Sequence, residues 1–136
     1  MIKINKCHTN KIITHSKEEY PNEACGILAG VANIVKETYR ITNTAKSPYR
    51  YTMDPQEFLN TELDAERREW DLIAFYHSHT HSAAYPSNTD VRMALQSGWL
   101  DIYYIVISLE NISNPDLKAF HIDNTGTIVE KKFQIF

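Results

Sequence analysis

The sequence has little cysteine and no long hydrophobic run. Its two cysteines, Cys7 and Cys25, stand far apart and outside any C-x-x-C pair, which argues against a disulfide framework and against a thiolate zinc site. No stretch approaches the roughly 18 consecutive apolar residues that a membrane-spanning helix needs. The first eight residues lack the apolar core of a secretory signal. We therefore predict a cytoplasmic protein with no membrane partner.

Glycine, proline and positive charge are also in short supply. Four glycines and five prolines are scattered among the 136 residues, so the sequence shows no linker, repeat or low-complexity segment. The formal net charge of −3 disfavours a protein that binds nucleic acid. The length suits one domain, since domains usually contain about 100–150 residues. We predict a single domain over residues 1–136 and no nucleic-acid partner.

Short apolar segments bounded by turn residues indicate a sheet. Residues 72–76 form a nearly continuous apolar run, which is typical of a central strand buried on both faces. Further strands are predicted at residues 23–30, 34–41, 102–109, 117–122 and 127–133. The last three of these follow one another without an intervening helix, so we expect a mostly antiparallel or mixed sheet.

Two helices begin at clear capping signals. Asp54 can cap the first, with a proline at the first helical position and Glu57 completing a capping box. Residues 87–90 begin a second helix, which ends near Gly98. A looser helical pattern covers residues 8–20. Helices and strands together predict the α/β (α+β) class.

Three of the six histidines fall within five residues, at His77, His79 and His81. Residues i and i+2 of an extended strand point to the same face, so His77 and His79 can reach one metal ion. Asp90 lies in the first turn of the following helix and can add a carboxylate. Two imidazoles and a carboxylate, with a fourth position open, are a ligand set of catalytic zinc. His81 would offer a third imidazole, but we expect its loop to carry it outward.

Glu23 and Ser87 can supply the remaining chemistry of a hydrolase. A carboxylate at Glu23, beside an activated water, can accept a proton and pass it to a leaving amine. A hydroxyl at Ser87, three residues before Asp90, can stabilise an oxyanion. Taken singly, each feature has a plainer interpretation: an incidental His-x-His pair, a capping box from Ser87 to Asp90, and a surface carboxylate at Glu23. Only the combination favours catalysis.

The combination resembles the JAMM motif of the MPN-domain metallopeptidases. Glu23 followed by His77-x-His79-x₇-Ser87-x₂-Asp90 matches that motif at every defining position. The segment 23–30 is similar to the first signature of the family, a glutamate before a glycine-containing strand. The segment 47–55 resembles the stretch before its central helix. The resemblance extends from about residue 8 to residue 125.

The resemblance implies a fold, a cofactor and roles for the five motif residues. The implied fold is a curved mixed β-sheet flanked by helices, of the MPN or cytidine-deaminase-like type. One Zn²⁺ per chain would be bound by His77, His79 and Asp90. Glu23 would act as general acid/base, and Ser87 would help to hold the tetrahedral intermediate.

The resemblance also implies a class of substrate. Family members hydrolyse peptide or isopeptide bonds after the glycine tail of ubiquitin-like proteins. Short prokaryotic members, which this chain resembles, process small ubiquitin-like sulfur carriers, either by trimming the tail or by releasing cysteine. The expected partner is therefore a small carrier protein with a Gly-Gly tail. We expect the tail to add beside a strand edge, with Tyr49, Arg50 and Tyr51 forming one wall.

Several alternatives stay open at this point. A non-catalytic MPN scaffold would share the fold, although such domains typically lack motif ligands that this chain keeps. A deconjugating peptidase of a defence or phage system would share the chemistry, and a homodimer is left open. Other His-x-His enzymes fit less well, because a metallo-β-lactamase needs aspartate where His81 stands, and a zinc deaminase needs a Pro-Cys-x-x-Cys segment. A cupin should lack the helix that begins near Asp54.

Overall fold

Eight strands and three helices alternate along the chain, which a computed structural model describes from Met1 to Phe136. In chain order they are β1 (Ile2–Ile4), α1 (Lys6–Glu19), β2 (Cys25–Val31), β3 (Ile34–Ile41), α2 (Pro55–Arg67), β4 (Asp71–His79), α3 (Asn88–Ser97), β5 (Tyr103–Ser108), β6 (Asp116–Ile122), β7 (Ile128–Lys131) and β8 (Phe133–Ile135). None of the helices is long and apolar enough to cross a membrane.

All eight strands belong to one mixed sheet, in the order β7-β6-β5-β4-β2-β3-β1-β8. Strand β4 is central, antiparallel to β2 and parallel to β5. The terminal strands β7 and β8 are separated by Lys132 alone, yet they lie at opposite ends of the strand order. The sheet must therefore curl until its two edges approach each other, which confirms the predicted curved mixed sheet and the α+β class.

The two faces of the sheet bury separate apolar clusters. Because side chains alternate along a strand, Tyr76 of β4 joins a cluster with Ile12 of α1. Phe75 points to the opposite face, where Ala94 of α3 belongs to the cluster and Phe58 of α2 packs against it. The same alternation directs residues 77 and 79 to the α2/α3 face.

Capping residues begin and end the helices largely where the sequence predicts. The Asp54 side chain accepts the backbone N–H groups of Gln56 and Glu57, and α2 begins at Pro55. Helix α3 ends at Gly98, which has the left-handed conformation that glycine adopts at low cost. These ends depend on interactions between near neighbours in sequence.

The terminal strands depart from the sequence prediction. The three-residue strand β1 is too short to show a sequence period, and it was not predicted. The strand predicted at residues 127–133 is instead two strands, β7 and β8. Strand β7 pairs with β6, whereas β8 pairs with β1. One continuous run of β-forming residues therefore forms the edge strand at each end of the curled sheet.

Close packing between β2 and β4 brings the candidate residues to the same region. A Cβ atom on Gly26 would lie 2.1 Å from the Tyr76 ring, so only glycine lets the ring lie on β2. The Tyr76 hydroxyl is 2.7 Å from Nδ1 of the buried His15. The register pairs Cys25 with His77. Glu23, two residues before Cys25, consequently lies near the carboxyl end of β4.

Candidate functional site

His77 and His79 occupy the carboxyl end of β4 and are both buried. Their positions differ by two residues, so both rings lie on the α2/α3 face, and their Nε2 atoms are 3.1 Å apart. The His77 ring stacks against Tyr51, with ring centroids 4.6 Å apart. The Tyr51 ring therefore packs against one face of the His77 ring and restricts its orientation.

Asp90 reaches the two histidines from the first turn of α3. Its Oδ2 atom lies 3.0 Å from Nε2 of His77 and 3.0 Å from Nε2 of His79. The carboxylate is held by a capping box: the Ser87 N–H donates to Oδ2 at 2.8 Å, and the Asp90 N–H donates to the Ser87 hydroxyl oxygen at 3.0 Å. A helix start therefore delivers a fixed carboxylate to the end of β4.

Hydrogen bonding settles the tautomer of one histidine and the charge of the carboxylate. His79 Nδ1 lies 2.9 Å from the Ala83 carbonyl oxygen, which can only accept, so Nδ1 carries a proton and the neutral ring presents its Nε2 lone pair to the cluster. Burial alone would raise the pKa of Asp90, but His77, His79 and the Ser87 N–H outweigh it and hold that pKa well below its usual range. Asp90 is therefore a carboxylate.

These three side chains can hold a metal ion. Their ligand atoms lie within 4.8 Å of one another, and the closest separations are 3.0 and 3.1 Å. Ligand atoms about 2.0–2.1 Å from a tetrahedral zinc ion are about 3.4 Å apart, which is close to this arrangement. Two imidazole nitrogens and one carboxylate oxygen are also a donor set of catalytic metal sites. The residues present therefore fit a divalent cation.

Glu23 lies beside this cluster with an unsatisfied carboxyl group. The residue is 3% exposed, and its Oε1 atom has no hydrogen-bond partner. Burial raises the pKa of Glu23 to about 8; His79 lowers it and Asp90 raises it by smaller amounts. An unpaired buried carboxyl is costly, and strongly shifted carboxyl groups are concentrated at functional sites.

A cavity of about 250 Å³ joins Glu23 to the rest of the site. His79, Ser87 and Tyr49 line it together with Glu23. The Ser87 hydroxyl oxygen already accepts the Asp90 N–H, which leaves the hydroxyl proton available to a ligand in the cavity. The five motif residues are thus brought together, with two of them on the cavity wall beside Glu23.

The predicted substrate wall is only partly at the cavity. Tyr49 is 76% exposed and lines the cavity. Arg50 is exposed, and its carbonyl oxygen accepts the Asn43 side-chain amide. Tyr51 is buried and stacks on His77, so it packs against the His77–His79–Asp90 cluster and does not line the cavity.

His81 lies at the cavity rim, outside the cluster formed by His77, His79 and Asp90. Its Nδ1 is 2.9 Å from the Thr80 hydroxyl, and its Nε2 is 3.4 Å from the Tyr20 hydroxyl. The exposed ring agrees with the predicted outward direction of this loop.

Three contributions to the site were not found from the sequence. They are the Ala83 carbonyl oxygen, the stacking of Tyr51 on His77 in place of its predicted role in the substrate wall, and Ser78, whose hydroxyl oxygen accepts the Ala24 N–H at 2.8 Å. A backbone carbonyl has no sequence signature. Ser78 carried one weak signal, since its position between two inward-facing histidines directs it to the opposite face.

Comparison with known proteins identifies relatives that cover most of the chain. Residues 6–123 match the protein family described as prokaryotic homologues of the JAB domain. The CysO-cysteine peptidase of Mycobacterium tuberculosis is 31% identical over 128 residues, covering 93% of this chain and 85% of that protein. The desampylase of Haloferax volcanii is 33% identical over 106 residues, covering 73% of this chain and 74% of that protein.

A solved structure resembles the fold closely. The solution structure of a protein from Desulfitobacterium hafniense has a TM-score of 0.89 and is 31% identical in sequence. The alignment covers 100% of this chain and 93% of that protein. The fold is therefore shared over the full length of the chain.

The raised pKa of Glu23 predicts a pH-dependent stability of the metal-free protein. Because the folded state binds this proton more tightly than the unfolded state, the stabilisation is complete below about pH 4.5 and is lost as the pH rises through about 8. The free energy of unfolding should therefore fall by several kcal/mol more in the parent than in Glu23→Gln. Urea unfolding with chelator, repeated across this pH range, measures the difference.

Glu66→Gln is the matched control for this measurement, because it makes the same chemical change on the exposed side of α2. Its pH profile should follow that of the parent. Parallel profiles for the parent and Glu23→Gln would contradict the assigned environment of Glu23.

Proposed function

The chain belongs to the family of prokaryotic homologues of the JAB domain, as its motif predicted, and on that premise we propose that it is a zinc-dependent JAMM-type metallopeptidase. Its proposed reaction is hydrolysis of a peptide or isopeptide bond after the glycine tail of a small ubiquitin-like carrier protein. One observation carries the proposal: an unpartnered, buried carboxyl at Glu23 faces the same cavity as His79, which belongs to a three-residue metal cluster.

We propose zinc as the metal, with one ion per chain. His77, His79 and Asp90 would hold it, since two imidazoles and a carboxylate match the catalytic ligand sets of zinc. When bound, zinc supplies Lewis acidity and lowers the pKa of water to about 7. A cation in this cluster would also favour the ionised form of Glu23, because an opposite charge nearby lowers a carboxyl pKa.

Glu23 is proposed to move the proton of the reaction. Its Oε1 atom has no other partner, so it can accept a proton from water in the cavity. It can then donate that proton to the leaving amine nitrogen. A carboxyl whose pKa lies near the working pH performs both steps efficiently; burial raises the pKa of Glu23, and a bound cation would lower it again.

Ser87 is proposed to stabilise the oxygen of the scissile carbonyl as negative charge develops there. Its hydroxyl oxygen is fixed by the Asp90 N–H, so the O–H can be aimed into the cavity with little reorganisation. A preorganised donor of this kind typically contributes about 10²–10³ in rate. The capping box thus serves both the metal cluster and the substrate.

The substrate class is proposed from the relatives and from the size of the cavity. The two relatives are named for acting on CysO-cysteine and for desampylation, which supports a protein carrier over a small molecule. A cavity of about 250 Å³ suits an extended tail without side chains, and glycine allows the closest approach of a backbone. We propose that Tyr49, with Arg50 beside it, borders this tail. Tyr51 instead stacks on His77 and orients its ring.

The proposed ligand set predicts which histidine substitutions reduce the zinc content of the protein. The purified protein should contain about one zinc per chain, and His79→Ala should lose most of it because a ligand atom is removed. His81→Ala should keep its zinc, since His81 lies outside the cluster. Elemental analysis by mass spectrometry after gel filtration measures both. Equal zinc in the parent and His79→Ala would contradict the ligand assignment.

The reaction proposal predicts chelator-sensitive cleavage of a carrier protein that has a C-terminal extension after Gly-Gly. Glu23→Gln should lower the rate about 10²–10⁴-fold while zinc content stays at the parent level. Intact mass spectrometry identifies the bond cut and the group released. Glu66→Gln serves as the control and should cleave normally. Full-rate cleavage by Glu23→Gln, or cleavage that resists chelation, would refute the proposed chemistry, and a zinc-free inactive protein would favour a scaffold.

The proposed tail wall predicts a binding defect at Tyr49. Tyr49→Ala should raise KM for the carrier about tenfold or more while kcat changes little, because the ring contacts the tail away from the bond that is cut. Tyr49→Phe keeps the ring and should resemble the parent. Steady-state kinetics with the carrier substrate measures both variants. An unchanged KM in Tyr49→Ala would exclude the residue from the binding wall.

A further inference from the structure

The side chain of Asn43 joins the backbone that carries Glu23 to the loop that carries Tyr49. Asn43 follows β3 by two residues, and its Nδ2 group donates to the Glu23 carbonyl oxygen at 3.0 Å and to the Arg50 carbonyl oxygen at 3.1 Å. Its Oδ1 atom accepts the N–H groups of Ala45 at 3.0 Å and Thr52 at 2.9 Å. Both donors and both lone pairs of the amide are therefore used.

The backbone of Glu23 is held only from this side of the cavity. Its N–H donates to the Ser47 carbonyl oxygen at 2.9 Å, and its carbonyl oxygen accepts from Asn43. Both Ser47 and Asn43 belong to the segment that leads to Tyr49. The Glu23 carboxyl, in contrast, has no hydrogen bond at Oε1. The position of that carboxyl therefore depends on how its backbone is anchored.

A second anchor holds the following residue to β4. The Ala24 N–H donates to the Ser78 hydroxyl at 2.8 Å, and the Ser78 N–H donates to the Ala24 carbonyl oxygen at 3.1 Å. Ser78 lies between the two histidines of the cluster. The backbone around Glu23 is thus held by two sets of hydrogen bonds. Ser78 connects it to β4, and Asn43 connects it to the loop that carries Tyr49.

We propose that Asn43 is a positioning residue that sets the Glu23 carboxyl and the tail-binding loop at a fixed distance from each other. This inference rests on the proposed function, because it assigns Asn43 an effect on catalysis that passes through Glu23. Aspartate, serine and glutamine each fail to reproduce the four contacts of the amide. Aspartate lacks both donors, serine is too short to span the two carbonyl oxygens, and glutamine adds a methylene between the backbone and the four contacts.

The hydrogen bonds of Asn43 connect the loop of residues 44–52 to the backbone of Glu23. The segment 44–52 closes on itself through the Thr44 N–H, which donates to the Thr52 carbonyl oxygen at 2.9 Å. Asn43 then ties this closed loop to the Glu23 carbonyl oxygen. The loop that would bind the carrier tail and the backbone of Glu23 are therefore both hydrogen-bonded to Asn43. A shift of Asn43 would displace both the loop and Glu23.

The isosteric change Asn43→Asp tests the inference. It keeps one acceptor oxygen for Ala45 and Thr52, but it sets a second oxygen against two carbonyl oxygens. A displacement of about 1 Å costs about 10²-fold in rate, so kcat per zinc-loaded molecule should fall 10- to 100-fold. KM for the carrier should rise as well. Zinc content should remain that of the parent, because no ligand of the cluster is altered.

Asn60→Asp is the matched control, because it makes the same change on the exposed surface of α2, where the Asn60 side chain accepts one hydrogen bond, from Gln56. Its kcat and KM should equal those of the parent. Thermal unfolding of both variants separates a loss of stability from a loss of rate. A lower melting temperature with parental kcat and KM would assign Asn43 a merely structural role and overturn the proposal.

A double-mutant cycle tests whether Asn43 acts through Glu23. In the Glu23→Gln background, Asn43→Asp should lower the residual kcat by less than twofold, because the group that Asn43 positions is already lost. An additional 10- to 100-fold loss in that background would show independent action and would overturn the inference. If Glu23→Gln alone retains full activity, the proposed function fails instead, so the two failures are distinguishable.

Asn43→Ser covers the case in which Asn43→Asp does not fold. It removes both long-range donors without adding a charge, and we expect the same loss of kcat per zinc-loaded molecule. Parental kcat and KM in Asn43→Ser would overturn the proposal. Failure of both variants to accumulate as folded protein at any temperature tested would restrict Asn43 to stability and would also overturn it.

Discussion

The antiparallel pairing of β2 with β4 is the constraint on which the candidate site depends. It sets Cys25 opposite His77 and so brings the Glu23 carboxyl to the end of the strand that carries both histidines. The pairing in turn depends on Gly26, where the Tyr76 ring leaves no room for a Cβ atom. A single close contact between strands therefore controls how far Glu23 lies from the cluster of His77, His79 and Asp90.

Burying the polar side chains of the site lowers the stability of the fold. His77, His79 and Asp90 are buried polar groups that share one another as partners, and Glu23 is buried without a partner at Oε1. Desolvated polar groups of this kind destabilise a fold unless they are paired. The remaining buried surface, which is mostly apolar, offsets that cost. A buried carboxyl oxygen without a partner calls for an explanation, and the proposed role of Glu23 in proton transfer supplies one.

Hydrogen bonds between side chains and backbone groups connect the parts of the site. Ala83 fixes the tautomer of His79 through its carbonyl oxygen, and Ser87 orients Asp90 through its N–H. Asn43 and Ser78 attach the backbone around Glu23 to the loop and to β4. Such attachments are short and directional, so they hold reactive groups more firmly than long side chains would. The site is accordingly built where several loops meet one rigid strand.

Local sequence information determined the starts of α2 and α3, the central strand and the identity of the five motif residues. The capping box from Ser87 to Asp90 and the i, i+2 spacing of the histidines act between near neighbours, so the sequence alone suffices to recognise them. The tertiary structure alone decided the division of residues 127–133 between two sheet edges, the stacking of Tyr51 on His77 and the bridging by Asn43. Each of these joins residues that are distant in sequence, and their geometry exists only once the sheet has curled.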